Sequence, residues 1–190
     1  MMKIVTIVTA GLVALSVAAA ATPTAAHPYD QYAGGRSFFA TLFGPSIARG
    51  VVSYPTKQKP GTIIVSTAQR RLYLVLGNGQ ALSYAIAVGK AGYAWSGINQ
   101  VTAKREWPDW TPPGEMLQRR PDLPRHMAGG PDNPMGARAI YLGSSLYRIH
   151  GSNEPDQIGQ AVSSGCIRMT NQDVIDLYNR VQIGATVIVQ

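Results

Sequence analysis

The sequence predicts a mainly β domain with a few short helices. Three observations carry that reading. Two apolar runs rich in β-branched residues, Thr62-Ile63-Ile64-Val65-Ser66 and Arg71-Leu72-Tyr73-Leu74-Val75-Leu76, lie close together and lead into the turn signal Gly77-Asn78-Gly79. Seven of the thirteen prolines fall between Trp107 and Gly136, and proline's missing donor and fixed φ bar that span from being a central strand or a long helix. The clearest helical spacing of apolar residues follows Thr170: Val174, Ile175, Leu177, Tyr178 and Val181.

Taken in order, residues 1–26 read as a secretory signal peptide. Lys3 is their only charge, Ile4 to Ala21 is an apolar run, and the small residues Thr24 and Ala26 favour cleavage before His27, with Ala19-Ala20-Ala21 offering an earlier site. An uncleaved membrane anchor is the alternative, because the run approaches the ~20 residues a bilayer needs. The mature chain is then expected to carry no transmembrane segment and to be a monomer in the periplasm or cell envelope. Residues 27–60 read as an irregular lead-in, with a small apolar patch (Phe38, Phe39, Leu42, Phe43) and Pro45, Pro55 and Pro60.

The folded domain is expected over 61–190. Thr62 to Ser66, Arg71 to Leu76 and Ala81 to Val88 make three strands of an antiparallel meander, and Gly89 to Gly97 is a Gly-rich connection. The Pro-rich span admits a short helix from Pro113 to Arg120. Its apolar side chains (Trp107, Trp110, Met116, Leu117, Leu123) favour an ordered flap over a cleft. Ala137 to Leu142 and Leu146 to His150 flank Gly143-Ser144-Ser145 as a hairpin. A helix starting near Thr170, with Asp173 in its first turn, precedes a closing strand, Ala185 to Val189.

A formal net charge of +7 suits anionic partners, but no basic run and no aromatic-interleaved stripe points to nucleic acid. No phosphate-cradling glycine loop is present. His27, His126 and His150 have no metal-ligand spacing with one another or with Cys166, so no metal and no cofactor is expected. The single cysteine cannot form an intrachain disulfide, and an unpaired thiol in an exported protein hints at chemistry.

That thiol is the centre of the chain. His150-Gly151-Ser152 is followed by Ser163-Ser164-Gly165-Cys166-Ile167-Arg168-Met169, with sixteen positions (166 − 150) between imidazole and thiol. A thiol attacks a carbonyl as thiolate, and a nearby imidazole is the usual group to take its proton. The two must meet in space, with His150 at a strand end and Cys166 on the returning loop. Small residues at 163–165 leave backbone amides open to a developing oxyanion.

This run resembles the active-site signature of the L,D-transpeptidases (YkuD-type catalytic domain), cysteine enzymes of bacterial peptidoglycan. Gly61-Thr62-Ile63-Ile64-Val65, Trp107-Pro108-Asp109-Trp110-Thr111-Pro112-Pro113 and Asn133-Pro134-Met135-Gly136-Ala137-Arg138-Ala139 extend the resemblance over roughly residues 61–190. Ser164 departs from it, standing where many members carry His. The resemblance implies YkuD-type β-sandwich or barrel-like mixed sheets, with a Cys–His cleft under the Pro-rich flap. It also implies an exported enzyme that acylates its cysteine with a peptidoglycan stem tetrapeptide, releases D-Ala and passes the acyl group to an amine. That amine belongs to a second stem, giving a 3-3 cross-link, or to a protein of the outer membrane. The alternatives are an L,D-carboxypeptidase that uses water and an inactive peptidoglycan-binding module.

Carried over residue by residue, Cys166 is the nucleophile, His150 the base that later acts as acid, and the Gly151 carbonyl the group that orients the imidazole. The amides of Gly165 and Cys166 are oxyanion donors, with Ser163 and Ser164 beside them. Arg168 either binds a substrate carboxylate or braces the loop, and Tyr141 and Trp110 line the cleft.

Overall fold

The computed structural model describes residues 49–190. The signal peptide, the Phe38 cluster, His27 and the start of the lead-in lie outside the described residues. Among the described residues no helix is long and apolar enough to cross a membrane.

Eleven strands form in chain order: β1 (Gly50–Ser53), β2 (Ile63–Ser66), β3 (Arg71–Gly77), β4 (Gln80–Ala85), β5 (Val88–Gly89), β6 (Gly97–Glu106), β7 (Arg138–Leu142), β8 (Arg148–His150), β9 (Ala161–Ser163), β10 (Ile167–Arg168) and β11 (Thr186–Val189). Two helices, α1 (Gly114–Arg119) and α2 (Asn171–Arg180), and a 3-10 turn at Pro155–Gln157 are the helical elements among the described residues. Nine strands share one sheet in the order β1-β4-β3-β2-β11-β6-β7-β8-β10, while β5 and β9 pair separately.

The expected meander is present, with β2, β3 and β4 paired antiparallel. Its third strand is shorter than the residue pattern implied. It stops at Ala85, Ala87 turns to bridge Arg168, and Val88 pairs with Ala161 of β9. Two further strands depart from the reading. Gly50–Ser53 lies within the span expected to be irregular, where Val51 and Val52 pair with Leu82 and Ala81 before Pro55 stops the ladder. Gly97–Glu106 is the longest strand among the described residues, and it pairs first with β11 and then with β7 across an irregularity at Val101/Ala103. It thus joins two halves of the sheet.

The main core collects Ile63, Val65, Leu72, Tyr84, Ile140, Ile149, Ile167, Leu177 and Val187 from both halves. Burial of such side chains stabilises a fold by about 1.5–3 kcal/mol each. Helix α2 begins as expected: Thr170 Oγ1 accepts from the Asp173 amide at 3.1 Å, and Val174, Leu177 and Val181 are buried. It packs against β7 and β8 and so stands behind the strand that carries His150.

The Pro-rich span is ordered, and its helix is the short one expected. Trp107 is buried, and Trp110 and Met127 exchange both backbone hydrogen bonds at 2.8 Å. Asn133, itself buried, donates from Nδ2 to the carbonyls of Met127 and Ala128 and accepts the Met135 amide. Helix α1 buries none of its residues, but the Arg119 guanidinium lies 5.5 Å from the Tyr93 ring.

Candidate active site

His150 is the last residue of β8, and Cys166 immediately precedes β10. These strands run parallel in the register Ile167↔Ile149 and Arg168↔His150. Side chains alternate across a strand, so Arg148, His150 and Arg168 share one sheet face, and Cys166, two positions before Arg168, arrives on that side. Continued by two positions, that register puts Cys166 level with Arg148, next to His150 along the same face, with the segment 151–165 as the crossover.

The imidazole is buried and Nδ1 lies 2.6 Å from the carbonyl oxygen of Gly151. A carbonyl only accepts, so Nδ1 carries the proton and Nε2 is left as the basic nitrogen. Gly151 is held by close approach: a Cβ there would land on Asn171 Oδ1, which also accepts the Ala137 amide at 2.8 Å. Burial first, and then the Arg168 guanidinium, lower the His150 pKa to about 4, against the weaker pull of the Gly151 and Met135 carbonyls. The ring is therefore neutral near pH 7.

Ser163 ties the two sides of the loop around the thiol. Ser163 Oγ donates to the Cys166 carbonyl at 2.6 Å and accepts the Gly165 amide at 3.1 Å. The Gly165 N–H is thus bound within the loop in this conformation. The Cys166 amide has no protein acceptor among the described residues. The thiol is partly exposed, and Sγ lies 3.8 Å from the Leu146 carbonyl, which also accepts Arg148 Nη1 at 2.9 Å. No hydrogen bond joins Sγ to His150 in this conformation. Such bonds are commonly long or misaligned without substrate and tighten when it binds.

Of the remaining candidates, Arg168 takes the bracing geometry. Its Nη1 donates to Gln157 Oε1 at 2.9 Å and lies 3.5 Å from Glu154 Oε2, while Nε is buried without a partner. Tyr141 pairs with Arg148 across β7–β8, and that guanidinium lies 5.2 Å from its ring, on the His150 face. Ser164 is half-buried beside the thiol. Trp110 takes its place in the fold of the Pro-rich span, opposite Met127.

Two neighbours of the thiol went unseen in the sequence. Trp95 Nε1 donates to the Gly165 carbonyl at 2.7 Å, and its rings stack on Tyr147 at 4.3 Å and 7°. Trp95 sits in what reads as a plain Gly-rich connection, and no local pattern marks it. Among the described residues no group of three or more His, Cys, Asp or Glu side chains is placed to hold a metal ion.

Comparison with known proteins identifies the family of this fold. The chain is 40% identical over 134 residues to a protein described as "Probable L,D-transpeptidase ErfK/SrfK" of Escherichia coli (strain K12), covering 66% of this chain and 42% of that protein. The matched region therefore spans less than half the length of that relative. A crystal structure from Brucella melitensis, described as a "Probable carnitine operon oxidoreductase caia", is 43% identical, with a TM-score of 0.52 over 78% of this chain and 97% of that one. L,D-transpeptidase 3 from Mycobacterium tuberculosis, solved with a faropenem-derived adduct, is 20% identical and shares the fold, with a TM-score of 0.54 over 68% of this chain and 59% of that one. The YkuD model, described as the L,D-transpeptidase catalytic domain, matches residues 60–189. That span holds every strand from β2 to β11 together with the His150 and Cys166 loops, and the chain belongs to the YkuD family.

Proposed function

We propose that this domain is an exported L,D-transpeptidase. Its Cys166 takes an acyl group from a peptidoglycan stem tetrapeptide and hands it to an amine. The observation that carries the reading is the delivery of His150 and Cys166 by the parallel pair β8–β10, with Nδ1 held by Gly151 and Nε2 left basic. Sγ bonds to the carbonyl carbon of the residue before D-Ala while its proton passes to His150 Nε2. The resulting oxyanion is met by the Cys166 amide. Collapse breaks the C–N bond, His150 returns the proton to the leaving D-Ala amine, and a thioester remains. An incoming amine then reverses the sequence with His150 as base. A backbone carbonyl takes the orienting place that a carboxylate holds in a Ser-His-Asp triad.

Arg168 acts here as a brace for the segment 154–157, so the substrate contacts fall to the other side chains of this face, Tyr141 among them. The apolar N-terminal run supports export, which places the reaction in the cell envelope. The acceptor is an amine of a second stem, giving a 3-3 cross-link, or of an outer-membrane protein. The oxidoreductase description of the Brucella protein is not carried over, because the family model and the ErfK/SrfK likeness both point to transpeptidation.

The test is mass spectrometry of muropeptides after the protein is incubated with tetrapeptide-bearing fragments. Cross-linked dimers with loss of D-Ala are expected, and tripeptides alone would indicate water as acceptor. Unchanged tetrapeptides would overturn the reading.

A further inference from the structure

We propose that Trp95 is a positioning residue of this site: its indole N–H holds the Gly165 carbonyl and so aims the Cys166 amide at the oxyanion. The inference rests on the acyl-transfer reading above and goes beyond it. Gly165 and Cys166 share one planar peptide unit, in which the trans arrangement points C=O and N–H in opposite directions. Fixing the direction of the carbonyl therefore fixes that of the amide. Trp95 Nε1 makes the fixing contact at 2.7 Å, across 70 positions of sequence. The Cys166 amide at the other end of the unit has no protein acceptor among the described residues.

Three contacts leave that peptide unit little freedom. Ser163 Oγ binds the Gly165 amide on one side and the Cys166 carbonyl on the other. Gly165 has φ +105, and a Cβ on it would lie 2.6 Å from Tyr147 Cε1, so the backbone is seated against the tyrosine ring. That ring is stacked on Trp95. The segment bearing Trp95 is itself tied to the thiol loop, since β5 pairs with β9 and the Lys90 amide donates to the Ser163 carbonyl at 3.0 Å. A donor on a peptide carbonyl also polarises the amide it is conjugated to, strengthening the next hydrogen bond by about 10–30%.

The test compares two reactions of the same thiol. Acylation by a carbapenem passes through an oxyanion, whereas alkylation by iodoacetamide displaces iodide at a saturated carbon and forms none. Both rates are measured by intact mass for the wild type, Trp95→Phe, and a variant with 3-benzothienylalanine at position 95, which keeps the bicyclic shape but lacks the N–H. Acylation should fall about tenfold to a hundredfold in both variants, less than the 10²–10³ of deleting an oxyanion donor outright. Alkylation should stay within about twofold. Acylation at the wild-type rate in the benzothienyl variant, or an equal fall in both reactions, overturns the inference. A wild type that alkylates but never acylates instead removes the acyl-transfer reading beneath it.

Discussion

Arg168 faces His150 across the parallel pair β8–β10, so the buried imidazole lies beside a guanidinium instead of a carboxylate. Burial and that guanidinium hold the ring's pKa near 4 in the fold, against about 6.5 in an unfolded chain. The unfolded chain binds the extra proton between those values, so this contribution is complete above about pH 6.5 and is lost as pH falls towards 4. The expected loss is on the order of 3 kcal/mol. Urea unfolding of wild type and His150→Gln at several pH values checks it: the wild type should lose its advantage over that window. A gap that stays constant with pH would contradict the buried neutral ring.

The same neutral ring sets the kinetics. Acylation by a carbapenem should persist well below pH 6.5 and fall only as the buried imidazole gains its proton. His150→Ala should slow acylation by about 10²–10⁴-fold, the worth of a positioned general base. Cys166→Ser should give no adduct by intact mass while retaining the fold, since one imidazole activates a hydroxyl poorly. His126→Ala is the control: that ring lies 3.5 Å from Asp109 Oδ2 in the Pro-rich span, and both side chains are exposed. Loss of activity in His126→Ala with activity kept in His150→Ala would mean that the base is misassigned.

Ser163→Ala removes a donor and an acceptor at once. The Cys166 carbonyl and the Gly165 amide lose their loop partner, which should cost about 1–3 kcal/mol of stability. Acylation should slow further than the loss of folded protein explains, because the peptide unit before the thiol is no longer pinned. Rates normalised to the folded fraction from a melting curve separate the two effects. A normalised rate equal to wild type would limit Ser163 to a structural part.

The Pro-rich span separates into an anchor and an exposed arm. Replacing residues 114–123 by a short Gly-Ser linker removes α1, which buries nothing, and leaves Trp107, the Trp110–Met127 pair and Asn133 in place. The melt should stay cooperative with little change in midpoint. Acylation by a tetrapeptide donor should slow by about tenfold, equivalent to ~1.4 kcal/mol of barrier. Unfolding of the shortened protein would show that the arm is structural.

Residue types marked the candidate site better than they marked its support. His150, Cys166 and the helix from Asn171 stood out because a signature, a cap and an apolar stripe are local patterns. Strand β6 did not stand out: Asn99, Gln100, Thr102, Lys104 and Arg105 are polar, and Val101 alone is buried in it, so its extended form comes from β11 and β7 on either side. The amide of Gly165 reads as open because its partner is a serine two residues back, whose rotamer no pattern records. Trp95 and Tyr147 meet only after the chain has gone round the sheet, so their stack has no trace in sequence spacing.

The parallel register of β8 and β10 also says where this domain can change. Because Arg168 is matched to His150 by the ladder itself, the spacing between imidazole and thiol does not depend on how much chain runs between them. Residues 153–156 are exposed, while Gln157 holds Arg168 and Ile158 is buried, so the length of the segment is free only on its near side. Insertions there would remodel the surface beside the site without moving the ladder that sets His150 and Arg168. The near half of this segment is therefore the place where a graft of different length would leave the β8–β10 ladder in register.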